Sequence, residues 1–94
     1  MDTMATSQCF SLGQTVITPG AMGCLEATDV YNALRRHARG DWGDLDPVDK
    51  AENDHSLDAG FRLLSAYTDR NGNSFWIITE ADRSVTTVLL SDEY

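Results

Sequence analysis

The stretch of sequence that decides the fold is residues 61–90, which read FRLLSAYTDRNGNSFWIITEADRSVTTVLL. Three runs rich in β-branched and aromatic side chains are separated by polar turn residues, and they cover 61–68, 74–80 and 84–90. Such runs predict three strands joined as an antiparallel meander. The Asn71-Gly72 pair is the strongest hairpin signal, because a type I′ turn needs positive φ at both central residues.

The two turns also predict the register of the strands. A two-residue turn at 71–72 places Tyr67 opposite Trp76, and the register expected for the second turn places Trp76 opposite Leu89. Both faces of the resulting sheet are substantially apolar. We therefore expect helices on one face, and either the N-terminal segment or a second subunit, in a homodimer, on part of the other.

Upstream of the meander, the sequence carries the start and stop signals of helices. The Thr-Pro pair at 18–19 and the Asp-Pro pair at 46–47 each supply an N-cap side chain followed by proline at the first helical position. Between them, Val30, Leu34 and Ala38 recur at the spacing of a buried helical stripe. The predicted helices cover 19–27, 28–39 and 47–58, and residues 14–17 form a short candidate strand. The third helix has a thin apolar face, which consists of Val48, Ala51, His55 and Leu57.

The predicted architecture is α+β, with two to three short N-terminal helices packed on a C-terminal three-stranded antiparallel meander and a short extra N-terminal strand. Residues 1–9 are expected to form a flexible leader and residues 10–94 a single domain. No apolar run approaches the ~20 residues that span a bilayer, and the N-terminus lacks a secretory pattern. We therefore expect a cytoplasmic protein with no membrane partner.

Charge limits the class of partner. Fifteen acidic residues against seven lysines and arginines give a net charge of −8. Nucleic-acid phosphates are bound by clustered basic side chains, so direct binding of DNA or RNA is disfavoured. An acidic protein instead suits a protein partner with a basic surface, including the nucleic-acid groove of a nucleic-acid-processing complex.

Residues 41–58 concentrate this charge, because seven acidic residues against one lysine give a local charge of −6. The segment is either a solvated helix with an acidic first turn or an acidic docking surface for a basic groove. Trp42 is either the anchor of that surface or a lid on the core, which its large area favours. A calcium loop is excluded, because glycine and leucine occupy ligand positions and a proline interrupts it. The acidic residues are Asp41, Asp44, Asp46, Asp49, Glu52, Asp54 and Asp58.

A second polar cluster lies in the turn between the last two predicted strands, and it consists of Glu80, Asp82, Arg83 and Ser84. Two carboxylates, a guanidinium and a hydroxyl can serve acid–base chemistry or phosphate binding. More commonly the side chains of Asp82 and Ser84 form hydrogen bonds with the backbone of such a turn, and Arg83 forms an ion pair with a nearby carboxylate.

Histidines and cysteines show no catalytic or metal-binding pattern. We expect His37 and His55 on helix surfaces or at a helix C-terminus, and Cys9 and Cys24 as buried free thiols. The spacings among these four residues match no zinc pattern. No catalytic residue, metal or cofactor is therefore predicted.

Several strings resemble one family of small uncharacterised bacterial proteins found on plasmids and integrative elements, commonly labelled "plasmid-related protein" or, loosely, type I restriction endonuclease subunit M. The resemblance covers residues 10–94, and Ser91 departs from it where proline is usual. A methyltransferase is not expected, because the chain lacks a nucleotide-binding α/β domain. The resemblance implies that the protein is encoded on a mobile genetic element. The strings are SLGQTV at 11–16, TPGA at 18–21, GDWGDL at 40–45, LSAY at 64–67 and WIITEADRSVTT at 76–87.

The charge and the resemblance together lead us to expect a non-catalytic inhibitor of a host nucleic-acid-targeting defence complex, of anti-CRISPR or antirestriction type. It would dock its acidic segment on a basic surface. The competing hypothesis is a small nuclease-like or hydrolytic toxin that uses Glu80, Arg83 and a histidine. A third is an antitoxin-like or housekeeping interaction protein.

Overall fold

A computed structural model describes residues 8–94, in which the sheet has four strands in the order β1-β4-β3-β2. The meander of β2, β3 and β4 is antiparallel as predicted, whereas β1 pairs with β4 in parallel. The short candidate strand at 14–17 is present as β1, and the α+β class is confirmed. The prediction of a three-stranded antiparallel sheet is wrong in strand number and order, because β1 joins the sheet beside β4. A parallel partner joins through a long crossover, which local sequence does not show. The strands are β1 Gln14–Ile17, β2 Leu63–Thr68, β3 Ser74–Thr79 and β4 Val85–Leu90.

Within residues 8–94, three helices and one 3₁₀ turn accompany the sheet: α1 Pro19–Cys24, α2 Ala27–Ala38, α3 Pro47–Ala59 and the turn Ser91–Glu93. The two predicted N-caps are present, since Thr18 accepts from the Ala21 N–H at 3.1 Å and Asp46 from the Asp49 N–H at 2.8 Å. The start of α2 differs from the prediction, because Glu26 occupies its N-cap position without a side-chain hydrogen bond.

Helices α1 and α2 supply the residues that pack on one face of the sheet. The core joins Ala21 of α1 to inward-facing residues of α2 and of the three long strands. Burial of these apolar side chains is the main stabilising contribution expected for a chain of this size. The buried cluster consists of Ala21, Val30, Ala33, Tyr67, Phe75, Ile77 and Val88.

The register of the first hairpin differs by one residue from the prediction. Tyr67 pairs with Phe75, not with Trp76, so its side chain lies on the core face. The cause is Asp69, whose carboxylate accepts from the N–H groups of Asn71 and Asn73 at 2.9 Å each and holds a longer turn. Within the turn only the glycine that follows Asn71 has positive φ, so the turn is not type I′.

The second hairpin has the predicted register, with Trp76 opposite Leu89. Both side chains lie on the face away from α1 and α2. Residues 8–13 of the N-terminal segment do not cover this face, because Phe10 packs on the helical side against His37 and Trp42. Most of the expected leader, residues 1–9, lies outside the described residues, and Cys9 at its end donates its N–H to the Ala38 carbonyl at 2.7 Å.

Helix α3 contacts the sheet along the outer edge of β2. The Asn53 side-chain amide donates to the Leu64 carbonyl and accepts from the Leu64 N–H at 3.2 Å, as a neighbouring strand would. An edge strand with unpaired backbone groups invites aggregation, so this contact protects β2. No helix within residues 8–94 has the length and apolar character needed to cross a bilayer.

Candidate functional site

The acidic segment begins as a connector that lies against the edge of β2 before α3 starts. Gly43 makes an isolated parallel bridge with Ala66, and its φ is +74°. A Cβ at this position would lie 2.0 Å from the Ala66 carbonyl oxygen and 2.7 Å from the Tyr67 ring. Only glycine permits both this backbone conformation and this approach.

Four carboxylates of the segment are used locally. Asp41 accepts two hydrogen bonds from Arg36, at 2.8 and 3.2 Å, and this pairing lowers the pKa of Asp41. Asp44 accepts from the Thr68 hydroxyl at 3.0 Å, Asp46 caps α3, and Asp54 accepts from the Trp42 indole at 2.9 Å. These groups position the connector and the helix, but all four remain exposed.

The other three carboxylates are free within residues 8–94. Asp49, Glu52 and Asp58 are exposed and form no salt bridge or side-chain hydrogen bond there. All three lie on α3. The uncompensated charge of the segment is therefore concentrated on this helix.

The orientation of α3 is opposite to that expected from its sequence. Of the expected packing face, Val48, Ala51 and His55 are exposed, with Val48 at 73%, whereas Leu57 is half-buried. The buried residue is the polar Asn53. Because an α-helix turns by about 100° per residue, Val48, Ala51 and His55 share one face and Asn53 lies opposite.

We call this solvent-facing side the α3 outer face, comprising Val48, Ala51, Glu52, His55 and Asp58, with Phe61 beside it. The ring of Phe61 is 56% exposed and contacts His55 at a centroid distance of 6.1 Å. Glu52 and Asp58 lie on either side of the apolar residues by helical geometry. The face thus combines an apolar stripe with flanking negative charge.

Trp42 is a core residue and not an exposed anchor. Its exposure is 3%, and its indole contacts the rings of Phe10 and His37 at centroid distances of 6.3 and 5.6 Å. The structure corresponds to the lid alternative, because the large indole closes the core beside α2. Trp42 is therefore unavailable to a partner, and its indole N–H joins it to Asp54 in the second half of α3.

The main polar feature inside the protein is centred on His37, which was expected on a helix surface or at a helix C-terminus. It lies in the last turn of α2 but is fully buried. One ring nitrogen, Nδ1, contacts the Ser65 hydroxyl, and Nε2 lies 2.9 Å from Thr79 Oγ1. Thr79 Oγ1 is 2.7 Å from Thr86 Oγ1, which lies 2.6 Å from the Leu12 carbonyl. We call this chain of five residues the His37 network.

Hydrogen-bond capacity fixes the direction of the whole network. The Leu12 carbonyl can only accept, so the single hydroxyl proton of Thr86 is donated to it. Thr86 then accepts from Thr79, and Thr79 from His37 Nε2–H. The neutral imidazole is left with Nδ1 as an acceptor for the Ser65 hydroxyl. Burial, with a smaller effect of the nearby Arg83 charge, lowers the pKa of His37 to about 3, which matches this neutral form.

A serine hydroxyl that donates to an imidazole is the arrangement that activates a nucleophile. Here Ser65, His37 and Thr79 all have 0% exposure, so no substrate reaches them in this conformation. The network instead satisfies buried polar groups that would otherwise cost stability. The sequence signal for His37 is its position seven residues after Val30, on the buried stripe of α2.

The turn cluster of Glu80, Asp82, Arg83 and Ser84 stabilises the turn by hydrogen bonds, and we call these bonds the staple. Asp82 accepts from the Ser84 N–H at 3.0 Å and hydroxyl at 2.6 Å. Arg83, at φ +61°, donates to the carbonyls of Phe61, Glu80, Ala81 and Ser56 at 2.7 to 3.4 Å. The arginine thereby joins the turn to the end of α3, and Glu80 pairs instead with Arg62 at 3.7 Å.

No group of three or more His, Cys, Asp or Glu side chains within residues 8–94 could hold a metal ion. Cys9 and Cys24 are free but exposed, so the expectation that they are buried is wrong. Cys9 lies over the end of α2, where its thiol donates to the Arg39 carbonyl at 3.4 Å. Cys24 is the last residue of α1.

The fold and these surfaces define a small acidic α+β protein whose most polar interior site is closed and whose most charged helix faces solvent. No protein-family model, curated protein or solved structure matches the chain.

Proposed function

We propose that this protein is a non-catalytic binding protein that docks the α3 outer face on a basic surface of a protein partner. The observation that supports this function best is the orientation of α3. A helix that only shields a sheet turns its apolar residues inward. Here α3 turns Asn53 inward and presents Val48 and His55 to solvent.

The chemistry of the face indicates the chemistry of the partner. Val48, Ala51 and His55 occur at i, i+3 and i+7, the spacing with which a helix fills an apolar groove. Glu52 and Asp58 beside them would meet lysine or arginine on the rim of that groove. Rim charges mainly set the association rate and its dependence on salt.

A nucleic-acid-processing complex is the partner class that suits these features, because its groove carries lysine and arginine side chains that bind phosphate groups. The resemblance to mobile-element proteins supports a host defence complex in the cytoplasm, inhibited in the anti-CRISPR or antirestriction manner. The acidic helix would compete with phosphate groups for the same basic residues.

The geometry does not favour the alternative of a nuclease-like or hydrolytic toxin. The Arg83 guanidinium is engaged by four backbone carbonyls, and Glu80 pairs with Arg62. His37 is buried, so it cannot join them at a surface. An antitoxin-like or housekeeping protein would use the same α3 outer face, and the identity of the partner distinguishes that possibility.

The test measures binding to purified host defence nucleases and inhibition of their DNA cleavage at two salt concentrations. The Glu52→Lys/Asp58→Lys variant should bind at least about tenfold more weakly than wild type. The Glu26→Lys/Asp92→Lys variant has the same net charge with the changes elsewhere, and it should bind as wild type does. Equal loss in both variants would attribute binding to net charge alone. Absence of binding to every nuclease would reject the proposed partner class.

A further inference from the structure

Phe61 presents a large apolar ring to solvent immediately after α3 ends. Within residues 8–94, three aromatic side chains are exposed, Tyr31 at 59%, Phe61 at 56% and Tyr94 at 65%. The two tyrosines carry hydroxyls that water can solvate, whereas the Phe61 side chain has no polar atom. Its exposure therefore forgoes the hydrophobic stabilisation that burial would give.

Hydrogen bonds hold the backbone of Phe61 on both sides of the exposed ring. Its N–H donates to the Ser56 carbonyl at 2.9 Å, and its carbonyl accepts from the Arg83 guanidinium at 2.7 Å. Gly60, at φ +79°, makes the turn that ends α3, and its N–H also donates to the Ser56 carbonyl, at 3.0 Å. The backbone beneath the ring is therefore fixed before any partner binds, which lowers the ordering cost of association.

Arg83 makes this contact with Phe61 from a strained backbone conformation. It is the one residue other than glycine with positive φ within residues 8–94, at +61°. L-residues avoid this region because Cβ approaches the following carbonyl oxygen. A glycine would remove the strain but could not reach the carbonyls of Phe61 and Ser56, which lie 2.7 and 3.4 Å from the guanidinium. Strained residues cluster at functional sites, which supports a role for Arg83 beyond its own turn.

We propose that Phe61 is the anchor with which the α3 outer face fills an apolar pocket of its protein partner, and that Arg83 positions it; this assignment depends on the proposed function. Aromatic side chains are enriched at the buried centre of protein interfaces. Glu52 and Asp58 supply a negative rim, so lysine or arginine should border the pocket. Phe61 thereby takes the role that the sequence suggested for Trp42, which is buried in the core.

Binding kinetics with the purified host defence nucleases distinguish an anchor from a rim residue. Phe61→Ala should weaken binding about thirtyfold, mainly through faster dissociation, because a buried anchor is lost. Its association rate and salt dependence should stay as in wild type, whereas Glu52→Lys/Asp58→Lys should change both. The matched control is Tyr31→Ala, which removes an equally exposed ring on α2 and should bind as wild type does.

A double-mutant cycle tests the role of Arg83. Arg83→Lys keeps the charge but lacks the planar fork that reaches several carbonyls, and it should weaken binding about fivefold when Phe61 is present. In the Phe61→Ala background it should have little further effect, because no ring remains to be positioned. Arg83→Gln, which keeps an amide donor, is the second variant of the cycle. Equal loss in both backgrounds would overturn the positioning role and leave Arg83 a structural residue.

The outcomes separate the anchor from the proposed function. Wild-type binding that persists unchanged in Phe61→Ala would overturn the anchor while the proposed function stands. Equal losses in Phe61→Ala and Tyr31→Ala would also overturn it, because any exposed ring would then serve. Absence of wild-type binding to every nuclease would reject the proposed function and the anchor together. Circular dichroism should show the wild-type fold for Phe61→Ala and Tyr31→Ala, since both side chains are exposed.

Discussion

Mild acid is expected to destabilise this protein through His37. Burial lowers the pKa of its imidazole from the ordinary 6.5 to about 3 in the folded state, with a smaller contribution from Arg83. The unfolded chain therefore takes up a proton as pH falls through 6.5, whereas the folded chain remains neutral. A folded pKa below the unfolded one means that the free energy of unfolding falls with pH from about 6.5 to about 3.

The magnitude follows from the size of the shift. At pH 4.5 the unfolded imidazole is two units below its pKa, and each unit is worth about 1.4 kcal/mol. The free energy of unfolding should therefore be about 3 kcal/mol lower at pH 4.5 than above pH 7. Against a total of about 5–15 kcal/mol for a typical domain, this is a large and measurable loss.

Urea unfolding at several pH values between 7.5 and 4.5 measures the effect. A His37→Gln variant should be less stable at neutral pH but should lack this pH dependence. The carboxylates titrate in both proteins, so their effect cancels when the two free energies of unfolding are subtracted at each pH. The exposed His55 provides the control, since His55→Gln should keep the full dependence. Parallel curves for wild type and His37→Gln, or an NMR titration of folded His37 near pH 6.5, would refute the buried neutral imidazole.

Two further substitutions test the connector and the turn. Gly43→Ala should cost more than about 3 kcal/mol in urea unfolding, because it combines positive φ with a backbone clash, whereas Gly72→Ala, with positive φ but open space, should cost about 1 kcal/mol. A similar cost for the two would remove the clash as the cause. Arg83→Ala should lose about 2–3 kcal/mol as its bonds to backbone carbonyls disappear, and the exposed Arg39→Ala should be neutral within about 0.5 kcal/mol. A neutral Arg83→Ala would show that the staple does not stabilise the fold.

Local signals predicted the local structure well. Thr18 and Asp46 cap helices as predicted, because each side chain accepts a hydrogen bond from a backbone N–H in the first turn. The second hairpin has the predicted register. The first hairpin does not, because the Asp69 carboxylate accepts hydrogen bonds from the N–H groups of Asn71 and Asn73. A prediction from the Asn-Gly pair alone does not take this side chain into account.

Features that depend on distant residues were not predictable from local patterns. The position of His37 near a helix C-terminus was predicted, but its burial was not, because its hydroxyl partners lie 28 and 42 residues away. The predicted packing face of α3 was wrong, because α3 contacts β2 through the polar side chain of Asn53. Hydrophobic periodicity predicts only apolar contacts. The seven carboxylates of the acidic segment are exposed and Trp42 is buried, whereas a docking role for the segment stays a prediction.

The His37 network also bears on the order in which the chain folds. Its last hydrogen bond joins Leu12 to Thr86 across 74 residues, so it forms only when the segment before β1 has docked on β4. Until the segment around β1 docks, the imidazole is open to water and titrates near its ordinary pKa. We therefore expect refolding to slow below about pH 6, when an imidazolium must lose its proton before it is buried.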